Sequence, residues 1–154
     1  MADITVTAAS VEPDYSAAVP PDLETRIAGE TITEGQPLYE NTAQRDYRNR
    51  PKLYKCDADA AQASALCYGI ALNAAKNNQT VTVQKGGSIK LGASGGSVLT
   101  AGETYCVSST AGGIAPTADL TTDTDMYPCI LGPADSVAVL RLQAPFIVGA
   151  AVNA

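Results

Sequence analysis

The sequence predicts a mainly β fold: a small β-barrel or sandwich with one short helix and an extended N-terminal arm. Three observations carry this. The runs TVTVQ (80–84) and VAVLRL (137–142) alternate apolar and polar side chains, the period of a strand with one buried face. Gly, Asn, Pro and Asp punctuate the chain at short intervals. Only DADAAQASAL (57–66) has the alanine-rich character of a helix.

In chain order, residues 1–25 begin with alternation around Ile4 and Val6 and turn into VEPDYSAAVPPDLE, whose prolines remove amide donors and disfavour helix. The segment reads as an arm that pairs one short strand and then runs over a surface. A single β-rich domain follows over residues 26–154. Its candidate strands are Thr31–Ile32, Pro37–Tyr39, Leu53–Lys55, Gly69–Leu72, Thr80–Gln84, Ser88–Leu91, Thr104–Ser108, Met126–Leu131 and Val137–Leu142. Gly86-Gly87 between two alternating runs predicts a hairpin turn. Asp57 is positioned to cap a helix running to about Leu66.

A weak internal repeat organises the domain. AGETITEGQPLYE (28–40) echoes AGETYCVSS (101–109), and GIALNAAKNNQTVTVQ (69–84) echoes CILGPADSVAVLRLQ (129–143). Two related β units closing on one another would remove exposed edges.

Composition narrows the function. The chain has 154 residues, 45% hydrophobic and 17% charged, enough for one domain with a real core. It has no His, the commonest general base and metal ligand. No enzymatic activity and no cofactor are expected. A net charge of −6 argues against nucleic acid, whose binding is driven by phosphate neutralisation. No signal peptide is visible, and the C-terminal apolar run is broken by Arg141, Gln143 and Pro145, so no membrane partner is expected. Synthesis in a cytoplasm follows as the expectation.

Charge is uneven. Residues 1–40 hold eight acids against Arg26, whereas Arg45, Arg48, Arg50, Lys52 and Lys55 face only Asp46 between residues 44 and 55. That basic stretch reads as a solvated loop or as a contact for an acidic partner.

The apparent chemical motifs have plainer readings. Gly92–Gly96 fits G-x-S-x-G, but no His exists to activate Ser94, so a loop is the better reading. QKGGSIK lacks the spacing of a phosphate loop. Asp119, Asp123 and Asp125 lack the glycine and terminal glutamate of a calcium loop, and the sequon at Asn78 needs a secretory route. Cys56, Cys67, Cys106 and Cys129 include no C-x-x-C pair and read as small buried residues. Cys106 has no base nearby to lower its pKa, and Gly112-Gly113 reads as the turn ending its strand.

DITVTAASV, IAGETITEGQPLY, KCDADAAQASALCYGIALNAA, TVTVQKGGSIKLGA and YCVSSTAGGIAPTADL occur in that order over residues 3–131. Together they resemble the capsid decoration, or cement, proteins of tailed bacteriophages. The resemblance implies a compact β domain with an extended arm, a homotrimer on the exterior of the phage head, and the major capsid protein as partner. It brings no catalytic residues. ENTAQRDYRNRPKL is longer and more basic than the family pattern, and APFIVGAAVNA more apolar; both are places where this member would fit its own coat.

The expected function is therefore a structural virion protein that cements neighbouring capsid subunits, made in the bacterial host. The candidate interface comprises Ile4, Val6, Val11, Tyr15 and Val19 of the arm, clamping the coat or a neighbouring protomer. Arg45, Arg48, Arg50 and Lys52 form a second, electrostatic candidate. The alternatives are a head-fibre base, a tail or baseplate component, or a surface carbohydrate-binding module.

Overall fold

The computed structural model describes residues 1–93 and 95–152; Ser94, of the G-x-S-x-G match, lies outside them. The fold is mainly β, with antiparallel sheets and one short α-helix, as in a β sandwich. The strands are β1 (Glu12–Pro13), β2 (Asp22–Ile27), β3 (Pro37–Arg45), β4 (Pro51–Lys55), β5 (Gly69–Ala71), β6 (Thr80–Lys90), β7 (Thr104–Val107), β8 (Ile114–Pro116), β9 (Ile130–Pro133) and β10 (Val139–Leu142). The helix α1 spans Gln62–Ala65.

The long strand β6 organises the larger sheet. Its first half pairs with β2 on one edge and β5 on the other. Its last residues pair with β1 and β10, with Pro13 and Leu140 both opposite Ile89. The hairpin expected at Gly86-Gly87 is therefore absent, and the strand runs through. Gly87 has φ +80° and bends the chain without reversing it, because partner strands receive the backbone on both sides. A Cβ there would lie 2.9 Å from the Pro20 carbonyl oxygen. Gln84 Nε2 spans the bend, donating to the carbonyls of Gly86 (3.0 Å) and Ser88 (2.8 Å). The bend sends one alternating pattern into two cores. Val81 and Val83 pack with Leu38, Leu53 and Ala71, whereas Ile89 and Leu91 join the larger cluster around Tyr105, Met126, Leu131 and Leu140.

The helix is shorter than expected and is not capped by Asp57. The Ala58 amide donates to Ser108 O (3.0 Å) and its carbonyl accepts from Tyr127 (2.8 Å). The bond from Tyr127 takes the Ala58 carbonyl that a helix starting at Asp57 would pair with the Gln62 amide, and one turn at Gln62–Ala65 remains.

The N-terminal segment lies on the chain's own body. Ile4 N–H donates to Ile114 O (2.9 Å), Thr7 N–H to Leu91 O (3.0 Å) and Asp14 N–H to Ser88 O (2.9 Å). Met1, Ile4, Val6 and Val11 pack against the larger core. The division expected between residues 25 and 26 falls inside β2.

One backbone pattern occurs twice. Gly35 donates to Ala71 O (2.8 Å) while Ala71 donates to Gln36 O (2.9 Å); Gly102 donates to Ala134 O while Ala134 donates to Glu103 O, both at 2.8 Å. Leu38 stands opposite Gly69 as Tyr105 stands opposite Gly132. The spatial correspondence thus sets TEGQPL (33–38) on TAGETY (100–105), out of register with the AGET echo of the sequence.

In both units a glycine passes close to a neighbouring strand. A Cβ on Gly69 would lie 2.8 Å from Gln84 O, and one on Gly132, at φ +144°, only 1.9 Å from Arg141 O. Gly132→Ala should cost about 3 kcal/mol or more in urea unfolding. Gly102→Ala, at φ +84° with open space around it, should cost about 1 kcal/mol. Equal losses at the two positions would refute the close-approach account.

Candidate interaction surfaces

The cysteines serve packing. All four cysteines are free and buried. Burial pushes the Cys106 and Cys129 thiols up to about 12 and raises that of Cys56 strongly, so they are neutral at physiological pH. Cys106 Sγ sits 3.5 Å from Ala115 O in the β7–β8 pair. Gly112 has φ +77° in the turn between these strands. Two of the three acids between residues 119 and 125 hold the start of the chain. Asp123 takes the Met1 amino group at 2.9 Å and Asp119 accepts the Ala2 amide at 2.7 Å. A thiol-labelling reagent at pH 8 should leave the folded chain essentially unmodified and titrate all four cysteines in denaturant. Rapid native labelling would contradict the burial of the thiols.

The structure separates the residues expected at an interface. Ile4, Val6 and Val11 are partly buried against the core, whereas Tyr15 and Val19 are 73% and 58% exposed. These two lie on a bend anchored by Asp14 at Ser88 and by Pro20–Pro21 beside Gly87. Asp14 also ties down Ser16, accepting its hydroxyl (2.6 Å) and amide (3.0 Å); these bonds hold the carboxyl below its usual range.

The basic stretch is a strand–turn–strand ribbon, with Arg48 and Arg50 in the exposed turn between Arg45 and Pro51. Pairing of β3 with β5 ends at Leu38, but β3 runs on to Arg45 and returns through β4, so the two form a ribbon beyond the sheet. Asp46 builds its tip. The Asp46 carboxylate accepts the amides of Arg48 (2.8 Å) and Arg50 (2.9 Å), and Asn49 takes the left-handed conformation at φ 60°. Desolvation alone would raise the Asp46 pKa; these amides and the Arg50 guanidinium outweigh it and hold the acid ionised.

Most of the basic side chains have local work. Arg45 donates to Asn49 O (2.8 Å), Arg50 pairs with Asp46 (3.2 Å) and Lys52 bonds Asn78 Oδ1 (2.6 Å). Arg48 makes no ion pair among the described residues. Its guanidinium lies 5.4 Å from the ring centre of Tyr47, which is 80% exposed.

A third feature carries no signal in the linear sequence. An open groove of about 690 Å³ runs beside the ribbon's root, with Leu66, Tyr68, Pro145 and Phe146 as its apolar lining and Asp22, Glu40 and Lys85 as its charged lining. A partly buried network centred on Arg26 stiffens it. Arg26, 3% exposed, donates to Glu40 Oε1 (2.7 Å) and to Pro51 O, and its guanidinium lies 4.9 Å from the Tyr68 ring centre. Glu24 accepts from Tyr68 Oη and from Lys85 Nζ (3.1 Å). Burial works against the Glu24 charge, but these donors outweigh it and lower its pKa. Burial, followed by the bond to Glu24, raises that of Tyr68. The groove joins residues 22, 40, 66–68 and 144–146, separations that no local pattern links.

No protein-family model, curated protein or solved structure matches the chain. No helix among the described residues is long and apolar enough to cross a membrane.

Proposed function

We propose that this chain is a non-enzymatic structural protein of a tailed-phage virion, attached to the outside of the head and cementing neighbouring major capsid subunits. The observation that carries the reading is the pair of projections on a tightly tied β body. The 14–21 bend presents Tyr15 and Val19, and the β3–β4 ribbon presents Tyr47 and Arg48. A cement protein needs surfaces that reach two subunits, and a body that holds those surfaces apart. Once one projection is docked, the second binds at a high effective concentration, so two modest contacts suffice for firm attachment. The resemblance of the sequence segments to decoration proteins supports the same assignment.

The N-terminal clamp takes a more specific form. Ile4, Val6 and Val11 are committed to the chain's own core, which leaves Tyr15 and Val19 as the apolar contacts available to a coat subunit. Deleting residues 1–25 would remove most of β2 and part of the core cover, so point substitutions give the cleaner test.

Heads lacking this protein, mixed with wild type or with Tyr15→Ser/Val19→Ser, should bind the variant at least about tenfold more weakly, from the apolar area lost to burial. Equal occupancy would remove the bend from the interface. Label found on tails would overturn head attachment itself.

A further inference from the structure

The ribbon tip and the groove are complementary surfaces carried by the same chain. The groove is apolar along Leu66, Pro145 and Phe146 and has the Asp22 carboxylate at its edge. Asp22 makes no ion pair among the described residues. The groove's charged lining is Asp22 and Glu40 against Lys85; Glu40 is paired with Arg26 and Lys85 with Glu24, which leaves the Asp22 charge in excess. The tip has the opposite character. Residues 45–52 carry Arg45, Arg48, Arg50 and Lys52 against Asp46 alone, with the exposed Tyr47 ring beside the Arg48 guanidinium, which has no ion-pair partner among the described residues.

The tip does not fill the groove of its own chain. Tyr47, Arg45 and Lys52 line a separate pocket with Ile27 and Asn78, while the ribbon contributes only Glu40 and Thr42, at its root, to the groove. One chain therefore presents both halves of the match in two places.

We infer that the groove is the docking site for the β3–β4 ribbon tip of a second copy of this chain, with Tyr47 seated on Leu66, Pro145 and Phe146 and Arg48 paired with Asp22. The aromatic ring and the guanidinium suit such a site, since Tyr and Arg dominate binding where they enter a largely desolvated pocket. The ion pair between buried Arg26 and half-buried Glu40 holds the groove wall in place before the partner arrives, which lowers the ordering cost of docking. Tip and groove are different patches: made in one direction the contact is heterologous and its repetition closes a ring or extends a filament, whereas a reciprocal exchange of tips makes a two-fold dimer. A homotrimer is what the resemblance to decoration proteins already implies; what goes beyond it is the identity of the two surfaces that meet, which does not rest on attachment to a head.

Sedimentation velocity over a hundredfold range of protein concentration tests the contact on the full chain. Wild type should gain mass as concentration rises. Arg48→Glu, Asp22→Arg and Ala63→Arg should each weaken association at least about tenfold, and Arg48→Glu combined with Asp22→Arg should recover most of it. All three positions are exposed, and thermal melts check that each variant is folded; Ala63→Arg blocks the groove independently of Asp22. Wild type that stays monomeric throughout would overturn the inference. So would folded Arg48→Glu and Ala63→Arg proteins that associate like wild type. Weakening by both charge changes without recovery in the combination would overturn the Arg48–Asp22 pairing.

Discussion

The bent strand β6 is the constraint on which the rest of the structure depends. It supplies hydrogen-bonding edges to four strands, β2 and β5 along its first half and β1 and β10 along its last residues. A straight strand would send Val81, Val83, Ile89 and Leu91 to one face, since their numbers share parity. The bend at Gly86-Gly87 gives the first pair to the smaller core and the second to the larger. The chain's two cores are thus coupled through one backbone, and the proline-rich segment beside Gly87 is held against it.

That coupling sets what is rigid and what projects. Residues 1–13 spend their apolar side chains on the larger core, so the N-terminal segment is mostly part of the body. Between the anchors at Asp14 and Pro20 the chain bends outward, and Tyr15 and Val19 remain in solvent. The ribbon projects for a related reason: β5 is only three residues long and leaves the distal part of β3 with β4 alone. Two-stranded ribbons are marginal by themselves. Here Asp46 organises the tip through backbone amides, and Lys52 ties one strand to Asn78. Arg26 fixes the root by bonding both Glu40 and Pro51 O.

The strands were legible because alternation and turn residues act locally. Pro37, Leu53, Gly69, Thr104 and Val139 all lie in strands where the sequence pattern places them. Two local rules failed for tertiary reasons. Gly-Gly between alternating runs satisfies the hairpin rule, but partners on both sides of β6 make continuation more favourable than reversal. The alanine-rich stretch after Asp57 favours helix, but Ser108 and Tyr127 capture the backbone of Ala58. Of the surfaces, the charge reversal at residues 44–55 was visible in the sequence. The sequence did not show which base is left unpaired, because that depends on Asn49, Asp46 and Asn78 being brought to Arg45, Arg50 and Lys52.

By itself, the sequence determined the β class, the positions of most strands, the absence of histidine chemistry and the location of the basic segment. Each follows from composition or from the side-chain period of two, properties that need no knowledge of distant neighbours. Tertiary structure alone decided that Gly86-Gly87 bends and does not turn, and that Ile4, Val6 and Val11 face inward while Tyr15 and Val19 face out. It also decided that Asp22, Leu66 and Phe146 share a groove. These outcomes depend on which backbone groups and apolar faces meet across the fold, and long-range pairing sets that.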